Sequence, residues 1–245
     1  MSIRTQGQRR AARLATLAAA AWLAGAPAFA DDWVMHMTVD NVYDVYFGNS
    51  MATDFHAGGD SNWQTTETWY AYGRDPADYL YVATASDHVV AQGFLGDFVN
   101  TTLGATIQTG STVWQVFPAG KYWPQIDPGW PNPWPAWQMP TQAQVDAAIA
   151  FATTNNLWAA PTQVPGYDNS SNPAPWGNRP GISPTASWIW YDSGNDPGGG
   201  TYPVPFNGFN HDEFLVFRVP NAPEPSALAA TLIGLATLRR RERAA

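Results

Sequence analysis

Thirteen of the 21 prolines and nine of the 13 tryptophans fall between Trp114 and Trp190. Proline has no N–H for a sheet ladder and breaks the interior of a helix. This stretch therefore reads as a long irregular excursion, and the regular core must come from the segments on either side. Those segments carry the period of strands. Val42–Phe47 is Val-Tyr-Asp-Val-Tyr-Phe, with Tyr43, Val45 and Phe47 on one side and Asp44 on the other. Trp33–Val39, Thr66–Tyr72, Tyr79–Ala85, Val89–Leu95, Thr106–Gln108 and Val113–Phe117 read as strands too. Ala186–Tyr191 and Glu213–Val219 join them after the excursion. Gly, Asp, Asn and Ser clusters separate these segments. Short strands divided by turns predict an all-β fold, an antiparallel β-sandwich or jelly roll over 31–221, with 118–185 as its Pro/Trp-rich insertion.

One helix is expected inside the insertion. Thr141 stands at an N-cap position with Gln144 three residues on, the spacing of a capping box. Val145, Ala148, Ile149 and Ala152 then form one apolar stripe, so the helix should run over about 142–154 and pack against the sandwich. In Trp188-Ile189-Trp190 the two indoles fall on one face of a strand and Ile189 on the other, as a buried sheet requires.

Charge is partitioned along the chain. Eight of the twelve basic residues lie at the ends: Arg4, Arg9, Arg10 and Arg13, then Arg239, Arg240, Arg241 and Arg243. Between Asp31 and Pro225 there are four basic residues against 19 acidic ones, a net charge of −15. Such a body repels phosphate backbones, which excludes nucleic acid as a partner. It attracts cations and stays soluble in salt. The absence of cysteine excludes a disulfide scaffold, thiolate metal sites and thiol catalysis.

The two ends read as addresses. The N-terminal arginines precede an apolar run, Leu14 to Ala26, and Ala28-Phe29-Ala30 places small residues at the cleavage positions. Residues 1–30 thus read as a secretory signal peptide, with Asp31 beginning the mature chain. At the other end Pro223-Glu224-Pro225 leads into an apolar run from Ser226 to Leu238, followed by the cluster Arg239, Arg240, Arg241. Residues 222–245 resemble the PEP-CTERM sorting signal of Gram-negative bacteria. The resemblance implies a membrane-embedded processing enzyme, an exosortase, that cuts near Pro223-Glu224-Pro225. It implies release into the cell envelope, the cell surface or the exopolysaccharide matrix. The physics agrees, because arginines resist translocation and hold that end inside. The 13-residue run spans roughly 20 Å as a helix, short of a bilayer core of about 30 Å, which suits transient residence in the inner membrane.

A second resemblance concerns the body. Thr38–Asn49, Tyr79–Ala85, Gly93–Asp97 and Thr112–Val116 look like segments of galactose-binding-like jelly-roll modules. The Trp-Ile-Trp and Phe-Arg strands with which those modules begin are matched here by Trp188–Trp190 and Glu213–Arg218, which come last. The resemblance therefore implies a permuted strand order in which the first and last strands of the body pair. Gly48-Asn49 stands where the family has Asn-Gly, so that turn should differ.

No catalytic signature is present: no Gly-x-Ser-x-Gly, His-Glu-x-x-His, phosphate loop or dinucleotide fingerprint. Glycoside hydrolysis needs two carboxylates at a set separation, and nothing in the sequence singles out a pair. His36, His56, His88 and His211 are scattered. The chain reads as a non-enzymatic exported protein. Trp123, Trp130, Trp134 and Trp137 are the candidate ligand-binding residues, since an indole can stack on the C–H face of a sugar. The alternative is that these rings fold back to anchor the insertion. Asp192 and Asp196, in a Gly-rich loop, offer the hard oxygens calcium binds; Asp40, Asp54 and Asp60 are a second acidic group. No other cofactor is indicated. Polysaccharide binding, a purely structural surface role and, least favoured, glycoside hydrolysis remain open.

Overall fold

The computed structural model describes residues 30–88, 92–132, 134–193 and 214–220. The strands in chain order are β1 (Asp31–Asp40), β2 (Val42–Gly48), β3 (Thr53–Asp60), β4 (Glu67–Arg74), β5 (Tyr79–Ala85), β6 (Gly93–Asn100), β7 (Ala105–Gln108), β8 (Gln115–Pro118), β9 (Thr162–Asp168), β10 (Ser187–Trp190) and β11 (Phe214–Pro220). Two helices, α1 (Ala119–Ile126) and α2 (Gln142–Thr154), lie between β8 and β9. All pairings are antiparallel. One sheet has the order β4-β1-β6-β10-β9, with β7 also on β6; the other is β3-β2-β5-β11-β8.

Alternation decides what each strand buries. Trp33, Met35, Met37 and Val39 of β1 share one core with Tyr43, Val45 and Phe47 of β2 and with Leu215, Phe217 and Val219 of β11. Residues from both sheets thus meet in a single interior, a sandwich-like all-β arrangement. Each fully buried Val, Leu or Phe in it contributes about 1.5–3 kcal/mol. The intervening residues of the second sheet are apolar too. Val42, Tyr46, Tyr81, Ala83, Phe214 and Val216 form a second core on its outer face, closed by Val145, Ala148, Ile149 and Ala152 of α2. The stripe read from the sequence is therefore the packing face. The capping box is present as expected: the Gln144 N–H donates to Thr141 Oγ1, and the Thr141 N–H donates to Gln144 Oε1 at 2.9 Å.

Several expectations are corrected. β3 and β9 were not foreseen as strands. β3 carries Gly58 and Gly59 and is bulged against β2, so it lacks a β-former pattern. β9 contains Pro165, tolerated because β9 is the last strand of its sheet. α1 forms inside the proline-rich insertion despite Pro124, with Phe117 stacked on Tyr122 at 5.3 Å. The insertion is thus partly regular. Of the strand expected at Val89–Leu95, residues 89–91 lie outside the described residues; β6 runs Gly93–Asn100, five residues beyond the expected end. Its first residue has no room for a side chain: a Cβ on Gly93 would stand 2.7 Å from the Trp188 ring and 2.9 Å from Trp176. The first and last strands of the body do not pair. β1 has its two edges filled by β4 and β6, and β11 sits in the other sheet between β5 and β8. The permuted strand order is therefore not met.

The hydrophobic segments at both ends lie outside the described residues. Among the described residues, no helix is long and apolar enough to cross a membrane.

Candidate functional site

The outer edge of β6 is shared by two short strands lying end to end. β10 pairs with it at Phe94, and β7 pairs with it from Asp97 to Asn100. The chain from Thr109 to Ser111 threads the gap between them. The Ser187 N–H donates to the Thr109 carbonyl at 3.0 Å, and the Thr109 N–H donates to the Gly96 carbonyl at 2.9 Å. Gly110 makes this passage possible. Its φ is +90°, and a Cβ there would stand 2.9 Å from Ser187 Cβ.

Beside this junction opens a cleft of about 660 Å³. Trp33, Ile107, Val113 and Pro220 supply its apolar surface. Asn100, Thr106, Gln108, Ser111, Gln163, Thr185 and Ser187 supply amides and hydroxyls. A recess of about 150 Å³ adjoins it and shares Gly110, Ser111 and Gln163. Among the described residues, no charged side chain lines either space, in a body that carries −15. The walls are held by internal bonds. Thr185 Oγ1 donates to Gln108 Oε1 at 2.9 Å, and Trp114 Nε1 donates to the Gln108 carbonyl at 3.0 Å. Asn100 differs. Its Oδ1 accepts from the Leu103 N–H at 2.9 Å, but its Nδ2 is buried and has no hydrogen-bond partner among the described residues. A buried amide left so costs about 1–3 kcal/mol. Neutral donors and acceptors beside apolar faces suit an uncharged, hydroxyl-rich ligand.

The tryptophans expected to bind ligand do other work. Trp123 and Trp134 are 4% and 2% exposed and stack on each other at 5.7 Å. Trp130 meets Trp134 edge-on at 6.2 Å, and both lean on Phe214 of β11. Trp123, Trp130 and Trp134 cover the apolar outer face of the second sheet, which is the anchoring alternative read from the sequence. Trp137 alone of the four is exposed, at 53%, and stands apart.

The acidic groups disperse as well. Asp54 accepts from Arg74 Nη1 at 3.0 Å; Asp60 is at the far end of β3, roughly 20 Å along an extended strand. Asp40 is enclosed at 2% exposure. Its Oδ2 accepts from Trp176 Nε1 at 2.8 Å, and its Oδ1 from Asn41 Nδ2. Burial pushes its carboxyl up to about 7; the bonds from Trp176 and Asn41 and the charge of Arg179 oppose this, and Asp87 adds to it. Among the described residues, no three His, Asp or Glu side chains are placed to hold a metal ion. Asp192 is described; Asp196 lies outside the described residues. His36 bonds Thr68 at 3.0 Å, His56 bonds Asp44 at 2.8 Å and His88 bonds the Trp134 carbonyl. These three histidines serve three separate places; His211 lies outside the described residues.

Sequence reasoning missed Tyr70 and Tyr72. They are 50% and 66% exposed on β4, with rings 6.3 Å apart and only 12° from parallel. Alternation puts them on the outer face, but it takes the sheet order to show that neither helix among the described residues covers that face. Asn100, Gln163 and Ser187 were missed because no local pattern links residues so far apart in the chain.

No protein-family model, no curated protein and no solved structure matches the chain.

Proposed function

We propose that this is an exported protein of a Gram-negative bacterium, processed through a PEP-CTERM-type signal and destined for the cell surface or exopolysaccharide matrix. There its β-sandwich binds a neutral carbohydrate in the cleft beside β7. The observation that carries the binding reading is the lining of that cleft, which among the described residues carries amides, hydroxyls and apolar faces and no charged side chain. In so acidic a body, a charge-free polar cleft favours hydroxyls over ions.

The export reading rests on Ala28-Phe29-Ala30 and on Pro223-Glu224-Pro225 with the arginines Arg239, Arg240 and Arg241. Two structural facts support it. β1 begins at Asp31, the residue after the expected cleavage point, and Ala30 is exposed. β11 ends at Pro220, three residues before Pro223. Both addresses thus flank the folded body without interrupting it. Ala28 and the residues from 223 onward lie outside the described residues.

Calorimetric titration of the purified protein with neutral oligosaccharides tests the reading. Binding lost in both Asn100→Ala and Gln163→Ala supports it. A second reading, a structural surface protein without a small ligand, draws on the burial of Trp123 and Trp134. It is favoured if no neutral glycan binds.

A further inference from the structure

We infer that the outer face of the first sheet, carrying Tyr70 and Tyr72, continues the cleft, and that the ligand is an extended neutral polysaccharide chain, not a single sugar or chain end. This rests on the carbohydrate reading above and deepens it.

The register supplies the continuity. Thr106 of β7 pairs with Val99 of β6, Val99 with Val34 of β1, and Val34 with Tyr70 of β4. These four positions form one row across four strands. The residues beside them along each strand turn inward: Trp33 and Met35 flank Val34, Phe98 precedes Val99, Ala71 follows Tyr70, and Ile107, which follows Thr106, packs against the core. The row therefore faces outward. Three strand spacings of about 4.8 Å make it roughly 14 Å long. Thr106 at its end is exposed and also lines the cleft. A chain leaving the cleft over Thr106 would cross Val99 and Val34, both half-buried, and reach the tyrosines.

Among the described residues, nothing covers this part of the face. Both helices pack on the other sheet. The neighbouring part of the same face is covered by two loops: Thr38 Oγ1 donates to the Trp63 carbonyl at 2.9 Å, and the Ser183 N–H donates to Asp97 Oδ2 at 2.6 Å. The covering stops short of the row. Among the described residues, six large apolar side chains are exposed, and four belong here: Tyr70, Tyr72, Leu103 in the β6–β7 turn, and Val113 in the cleft wall. Such clustering marks a contact surface.

Charge selects the occupant. No lysine or arginine stands in the row, and Asp32 lies beside Tyr72 with its Oδ1 accepting from the Gly73 N–H at 2.8 Å. An anionic polymer or lipid surface would be repelled. A neutral glycan meets no penalty, and two nearly parallel tyrosine rings offer successive units apolar faces with hydroxyls at their tips.

The test uses the purified protein and β-1,4-linked gluco-oligosaccharides of two to six units, with soluble xylan and galactomannan as polymers, followed by calorimetry. Affinity should rise with chain length until cleft and tyrosines are both spanned. Tyr70→Ala and Tyr72→Ala should each weaken polymer binding about five- to tenfold while leaving disaccharide binding unchanged, and Tyr72→Phe should retain it. Asn100→Ala should weaken both. If short sugars bind through Asn100 but length adds nothing and both tyrosine variants are silent, the extended-chain inference falls and the cleft reading stands. If no sugar of any length binds, both fall. A Tyr72-dependent dimer in sedimentation velocity would assign the face to a second copy of the chain and overturn the inference.

Discussion

Trp176 donates its indole N–H to the buried carboxyl of Asp40 at 2.8 Å while its ring stacks on Trp188 at 4.3 Å. The last residue of β1 thereby holds the loop that follows β9 against the first sheet. Burial raises the Asp40 pKa to about 7 although the bonds it accepts from Trp176 and Asn41 favour its ionised form. The folded protein therefore holds a proton that the unfolded chain gives up near pH 4.

The linked stability has a definite sign. The Asp40 contribution is full below pH 4 and is lost as pH rises through 7, by up to ~4 kcal/mol for a shift of about three pH units. Asp44, Asp78 and Asp97 are also raised by burial and act in the same direction. Urea unfolding between pH 4 and 8 should show a falling midpoint, and Asp40→Asn should flatten much of that slope. A midpoint that rises over this range would contradict the assignment.

Two tryptophans separate anchoring from binding. Trp134→Ala should cost about 3–5 kcal/mol, because the ring closes the second core against Trp123 and Phe214. Trp137→Ala, at an exposed position, should change stability by no more than about 0.5 kcal/mol. Equal losses in thermal unfolding would mean that the insertion packs otherwise.

At Gly93 the absent side chain is what lets Trp188 and Trp176 seat over β6. Gly93→Ala must push both rings back, an overpacking cost of about 1–3 kcal/mol. A lowered melting temperature and altered near-ultraviolet dichroism from the tryptophans are the expected signs. An unchanged melting temperature would show that the rings yield freely.

Loss of the capping box tests α2 alone. Thr141→Ala removes the side-chain half of the capping box, leaving the Gln144 N–H only the Thr141 carbonyl at 2.9 Å, and should cost about 1 kcal/mol, read from the denaturation midpoint.

Processing has its own test. Glu224→Ala, and separately Arg239, Arg240 and Arg241 together changed to Ala, should leave a larger, membrane-associated form in the exporting cell. Immunoblots of membrane and medium fractions read the outcome. Normal release of both variants would remove the sorting role of this end.

What was legible in the sequence follows from locality. Tyr79–Ala85 was read with the bounds it has in the fold, because its β-formers run unbroken between turns. α2 was legible because its cap and its stripe lie within a dozen residues. β9 was hidden because only a neighbour on one side makes Pro165 acceptable. The continuation of β6 past Leu95 was hidden because Gly96 looks like a break until its close neighbours, the Phe98 ring and Met37, are seen.

By itself, the sequence determined the class of fold, the acidic body and the capped helix, all from short-range periodicity, charge and turn chemistry. Only the tertiary structure decided that Trp123 and Trp134 are core and that Tyr70 and Tyr72 are surface. It also brought Asn100, Gln163 and Ser187 to one cleft. The physical reason is that alternation tells which residues share a face of a strand. Which faces are then covered, and by what, depends on strand order and register, set by contacts between residues distant in the chain.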